Sequence, residues 1–402
     1  MSQFSHPAPV STKIDVVILD PLIADSSLFL NRIITNDLLY TNVFAYCTPA
    51  SLFRLARVCK AVHDAVKDYI QRAFNLNKLL SRFFIDPIAF RRMQQSTSTL
   101  ISGSTALQFF DRSFYPDSDL DLYVPMKFRL YVGQWLMGVG YTFVPNSSQS
   151  AKFELAVIDP TVIITQGLGT YSGMVGVAAV FTFVKPSQTE AGKELKVQVI
   201  VSVRAPMEII LYYHSTVVMN VITYEKAYSL YPIPTFEERR SLICRSWGIK
   251  QEEGIEKYED RGWEMLSRLP SGESLEKSSF LIGSRWIGDE DVWEIDLDME
   301  GIPSTVRARS DSSKPLTHDP ASVTSWKLHC GHFEGAVMVT NTLKSEYLFH
   351  QYISQDGGFL SSLEYHADKH KKGESVEGPQ RYYDEEFIQM LQKSFSTVKD
   401  FI

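Results

Sequence analysis

The sequence predicts an α+β protein with an N-terminal helical module, a central unit built on a mixed sheet, and a C-terminal α/β extension. Three observations carry this reading. Apolar residues recur at helical spacing between residues 31 and 84, and helix and strand patterns then alternate to residue 250 without a regular βαβ repeat. Beyond residue 250, charged helical stretches give way to short alternating strands. The expected divisions are an arm over 1–30, the helical module over 31–84, the central unit over 85–250 and an accessory region over 251–402.

The elements follow in chain order. Pro7 and Pro9 suit an extended arm, and "KIDVVILD" a short strand or apolar tether. Leu52, Leu55, Ala56, Cys59 and Val62 share one helical face, as do Val66, Ile70, Phe74 and Leu79, with Thr48 and Pro49 as N-cap and first-turn proline. "DPIAFRRMQQSTSTLISGSTALQFFDRSFYPDSDLDLYV" reads as helix, strand, Gly-Ser turn, helix, loop and strand, and "KFRLYVGQWLMGVGYTFV" as an amphipathic helix and a strand. The uncharged run 161–184 is long enough to cross a bilayer, but its central "GLGTYSGMVG" suits a Gly-rich loop between strands. "AAVFTFVKPSQTEAGKELKVQVIVSV" predicts a hairpin, "PMEIIL" a helix start and "TFEERRSLICRSWG" a closing helix. Later, "QEEGIEKYED" predicts a helix, "RARSDSSKPLTHDPAS" an exposed loop with strands on either side, and "DEEFIQMLQKSFSTVKDFI" a final helix.

Composition sets limits on function. With 44% hydrophobic and 22% charged residues, this is a folding chain of roughly two to three globular units. A net charge of -7 argues against broad binding of nucleic acid by phosphate neutralisation. The basic run Arg54, Arg57, Lys60, Lys67, Arg72, Lys78, Arg82, Arg91 and Arg92 reads as a solvated helix surface. Cys47, Cys59, Cys244 and Cys330 form no CxxC pair, which predicts reduced thiols and no disulfide partner. The N-terminus lacks a basic segment followed by an apolar core, so a cytoplasmic or nuclear protein is expected, without a membrane span.

The chemistry concentrates in "GSTALQFFDRSFYPDSDLDLYV", Gly103 to Val124. Asp119 and Asp121 stand two apart in an apolar strand, so they share a face and repel. A catalytic metal would neutralise them. A lysine reaching into the pair would instead mark a site without turnover. Elsewhere, His214, Ser215 and Asn220 read as a cap and a buried amide before they read as ligand contacts. His329, Cys330 and His332 lack the second half of a metal site.

Two resemblances follow from these residues. Leu38, Val43, Phe44 and Tyr46, followed by "TPASLFRLARVCKAV", resemble an F-box, although "NDLLY" replaces that family's opening Leu-Pro. The resemblance implies docking on the Skp-type adaptor of a cullin ubiquitin ligase, with Val43, Phe44, Leu52, Leu55 and Val58 as docking residues. The Gly-Ser turn, its helix and the two-acid strand resemble the nucleotidyltransferase fold of the DNA polymerase beta superfamily. That resemblance implies a nucleoside triphosphate held at Gly103 and Ser104, magnesium and catalysis at Asp119 and Asp121, and a third carboxylate on "LKVQVIVSV". Gln198 stands at the third position; an amide brings no charge and accepts no proton, and Glu194 lies too far along the strand to replace it. The expected function is therefore an F-box-like interaction adaptor with a nucleotidyltransferase-like domain degenerate in catalysis. The alternatives are an active metal-dependent nucleotidyltransferase acting on a hydroxyl, and a non-catalytic scaffold.

Overall fold

A computed structural model describes residues 30–159, 175–187, 192–244, 249–303, 319–331, 333, 335–343, 345, 348–371 and 383–399. It divides into two compact units, Met1–Ile70 and Gln71–Ile402.

In the first unit, short polar side chains start the helices. Asn36 accepts from the Leu38 and Leu39 amides to begin α1 (Asp37–Ala45), and Thr48 accepts from the Ser51 amide to begin α2 (Pro49–Ala56), with Pro49 in the first turn. Helix α3 (Lys60–Ala73) buries Val62, Ala65, Val66 and Tyr69. Tyr40, Phe44 and Tyr69 form the core, with Phe44 centred 5.4 Å from Tyr40 and 5.6 Å from Tyr69. The Tyr40 hydroxyl donates to Asp68.

This packing divides the expected docking set between core and surface. Phe44 and Leu52 are each only 1% exposed and belong to the core. They alternate with surface positions at helical spacing, which motif matching does not separate. Val43 and Val58 are exposed, Leu55 is half-buried, and Leu38, Leu39, Tyr46 and Phe53 join the exposed apolar set.

The second unit opens with α4 (Leu76–Leu80) and α5 (Pro87–Thr97), the latter capped by Asp86. Then come β1 (Leu100–Ser102), α6 (Gly103–Asp111), β2 (Leu120–Pro125), α7 (Arg129–Gly138), β3 (Thr142–Val144) and α8 (Phe153–Ile158). The expected hairpin forms as β4 (Val177–Pro186) and β5 (Glu194–Ser202), and is followed by α9 (Pro206–Leu211), β6 (Asn220–Ile222) and β7 (Lys226–Ser229). The expected Gly-rich loop lies mostly outside the described residues; among those described, no helix is long and apolar enough to cross a membrane.

The closing helix expected from "TFEERRSLICRSWG" is corrected. The chain turns at Arg239, whose φ is +54°, and enters strand β8 (Arg240–Leu242). Arg240 then pairs with Glu238 and Glu273, ties that a continuous helix would break. After α10 (Ile249–Glu259) come β9 (Glu264–Leu266), β10 (Gly283–Trp286), β11 (Trp293–Asp296), β12 (Ser325–His329), β13 (Val337–Val339), β14 (Asn341–Leu343) and β15 (Tyr352–Ser354). The chain continues into α11 (Gly357–Lys371), which the pattern reading missed, and α12 (Asp384–Lys399).

Eight strands make the main sheet in the order β11-β7-β6-β1-β2-β5-β4-β3, and β2 with β5 is its parallel pair. One face packs on α6, where Phe110 meets Phe109, Phe236 and Trp293 at centroid distances of 5.6, 6.0 and 5.1 Å.

Strand pairing and hydrogen bonds cross the boundary expected at 250. Strand β11 pairs with β7 and completes the sheet. Three side chains of α5 hold the segment after it: Arg91 donates to the Asp298 carbonyl at 2.6 Å, Arg92 to Gly301 at 2.9 Å and Gln95 to Pro303 at 3.1 Å. Arg91, only 1% exposed, also bonds the Tyr224 carbonyl, so it is an internal strut and not part of a solvated basic surface. A further core of Val323, Tyr352, Leu363, Phe387 and Leu391 organises the C-terminal segment.

Candidate functional site

Strand β1 runs directly into α6 through Gly103, whose φ is +67°. Only glycine fits here on two counts. The conformation disfavours a side chain, and a Cβ on Gly103 would stand 2.5 Å from Asp121 Oδ2. The start of α6 is thus pressed against the Asp121 carboxylate, where the positive end of the helix dipole favours a negative group.

The parallel pairing of β2 and β5 sets Asp121 directly beside Gln198. The same direction carries Lys196 alongside Asp119. Both side chains engage that acid: Gln198 Nε2 donates to Asp119 Oδ2 at 2.8 Å, and Lys196 Nζ lies 2.8 Å from the same oxygen. The structure brings Gly103, Ser104, Asp119, Asp121 and Gln198 into one neighbourhood. Sequence reasoning missed Lys196, although a residue two before Gln198 on a strand must share its face.

Asp121 borders a cleft of about 180 Å³. Gly103, Ser104, His214 and Lys257 share the lining, with Tyr123, Tyr213 and Tyr258 making its aromatic wall. The Tyr213 hydroxyl donates to the Tyr123 hydroxyl. Burial, and secondarily the charge of Asp119, push Asp121 up to about 7, against the pull of Lys257 and Lys196. Burial lowers His214 to about 4, assisted by Lys257, so its imidazole is neutral at pH 7. Lys257 and Tyr258 come from α10, in the region expected to be separate, and no local pattern could have placed them here.

The other candidates resolve simply. Ser215 is buried with its hydroxyl against His214 Nδ1, and Asn220 is buried with its amide donating to the Val217 carbonyl. Glu194 is exposed at the far end of β5, opposite Pro186. His332 lies outside the described residues. Among the described residues no group of three or more His, Cys, Asp or Glu converges as a metal site, and none of the four cysteines is in a disulfide.

Magnesium would meet a poor donor set here. Asp119 already faces an ammonium and an amide N–H, Asp121 sits at the edge of protonation, and residue 198 contributes a donor toward Asp119 where a metal needs an anion. No family model, curated protein or solved structure matches the chain.

The Asp121 environment has a pH consequence. Its folded-state pKa is raised, so the protonated form stabilises the fold; that contribution is complete below about pH 4 and is lost as pH rises through 7. Asp121→Asn, which keeps the shape without the charge, is expected to raise stability at pH 8 by roughly 1–3 kcal/mol, after discount for partial exposure. Its stability should also vary less than that of wild type between pH 4 and 8. Denaturant midpoints across that range measure both.

Proposed function

We propose that the chain is an F-box-like interaction adaptor whose nucleotidyltransferase-like domain binds without turning over. One observation carries the reading: the ammonium of Lys196, with the Gln198 amide, occupies the Asp119 oxygen that a catalytic cation would need. A lysine there balances the charge of Asp119 and leaves the acid pair without a third anion.

The interaction half of the reading rests on the first unit. Leu38, Leu39, Val43 and Tyr46 fall on one side of α1, opposite buried Tyr40 and Phe44, and Val58 at 70% exposure follows α2. Uncovered apolar side chains in this number exceed what a solvated helix pair calls for and suit the Skp-type adaptor of a cullin ubiquitin ligase.

Two assays test the halves separately. The full chain should co-purify with a Skp-type adaptor, and the combined variant Leu38→Asp, Val43→Asp, Val58→Asp should lose at least tenfold in affinity. Incubation with labelled nucleoside triphosphates and magnesium or manganese should give no more transfer than Asp121→Asn. Transfer that Asp121→Asn abolishes would establish the active enzyme instead, and lack of adaptor binding by wild type would leave a scaffold.

A further inference from the structure

We propose that a second cleft, at the carboxyl ends of β2 and β5, binds a small monocarboxylate with an apolar body of about the size of a benzene ring. The cleft lies past Pro125 on one strand and Val203 on the other, roughly 13 Å along β2 from Asp121, and holds about 140 Å³. A cavity of about 150 Å³ accepts benzene, which sets the scale of the ligand body.

The walls divide by chemistry. Met126, Pro206, Met207, Pro320, Phe349 and Ile353 give apolar surface, while Lys127, Arg204 and His350 supply nitrogen and no acid lines the cleft. Arg204 is already committed to buried Glu208, to which its Nε donates at 2.8 Å. Lys127 is the under-used charge. Its ammonium lies 3.0 Å from the centre of the Phe349 ring and donates to the Phe349 carbonyl, but among the described residues it makes no ion pair.

The acid nearest in charge, Asp384, is spent elsewhere. It accepts from the Phe349 amide at 2.7 Å, the His350 amide at 2.9 Å and the Tyr352 hydroxyl at 2.8 Å. Burial accordingly lowers Lys127 to about 8 despite the attraction of Asp384, the mark of a cation short of an anion.

His350 is the second nitrogen-bearing group beside Lys127. The residue is 7% exposed, borders the cleft and packs edge-on against the Phe349 ring at 4.9 Å between centroids. Burial, with Lys127 beside it, lowers it to about 3, so it stays neutral and offers one N–H. A carboxylate seated between Lys127 and His350 would satisfy both groups while its apolar body met the proline and methionine wall.

Calorimetric titration of the full chain with benzoate, benzyl alcohol and inorganic phosphate tests this. Benzoate should bind at least tenfold more tightly than benzyl alcohol, which has nearly the same shape without the charge. Lys127→Met should reduce benzoate affinity at least tenfold while leaving the unfolding midpoint near that of wild type. Absence of benzoate binding, equal binding of the alcohol, binding of phosphate alone, or an unchanged Lys127→Met would each overturn the proposal. If Lys127→Met does not fold, the wild-type comparison of benzoate with benzyl alcohol decides.

Discussion

Phe110→Ala is expected to destabilise the Gln71–Ile402 unit by about 3–5 kcal/mol, the usual cost of removing a fully buried aromatic. Phe110 is 0% exposed and joins α6 to Phe236 and Trp293, so truncation leaves a void between that helix and the edge of the sheet that β11 completes. The surroundings cannot close it easily, because the neighbouring rings belong to three separate segments. Denaturant titration followed by tryptophan emission should show a midpoint shift of that size, with altered emission from Trp293 even before unfolding. A loss below about 1 kcal/mol would mean that α6 is not seated as described, and the position of Gly103 would fall with it.

Gly103→Ala is expected to cost about 2–4 kcal/mol. A non-glycine residue held at φ +67° costs on the order of 1–3 kcal/mol, and crowding against a fixed neighbour adds a similar amount. The obstruction is specific, since the added methyl would meet Asp121 Oδ2 at 2.5 Å. Asp121→Gly in the same chain removes the obstacle and should recover part of the loss. A double-mutant cycle is then expected to give a coupling of at least about 1 kcal/mol. Strict additivity would show that the glycine serves its backbone angle alone and that the acid does not press on the helix start.

These two substitutions probe what local pattern could and could not reveal. The β4–β5 hairpin, the helix caps and the Gly103 turn were legible because each depends on neighbours within a few residues. The place of Gln198 beside the acid pair was legible because strand order and alternation fix its face. Lys196 was equally determined by alternation, yet charge balance was not carried two residues further along β5. Lys257, Tyr258 and the Arg91 ties depend on chain segments more than 130 residues from their partners, where periodicity says nothing. The misread helix near Arg240 has the same origin: its acid-first, base-last pattern is helical in isolation, and ion pairs to Glu273 overrule it.

The place of β11 at the margin of the main sheet has a bearing on how the protein is born. About 64 residues separate the end of β7 at Ser229 from the start of β11 at Trp293, the strand that closes this side of the sheet. At a ribosomal rate of 5–20 residues per second, that border stays open for roughly 3–13 s. Throughout that interval β7 has no neighbour on its outer side, so the nascent polypeptide has reason to stay in the hands of chaperones until synthesis passes Asp296.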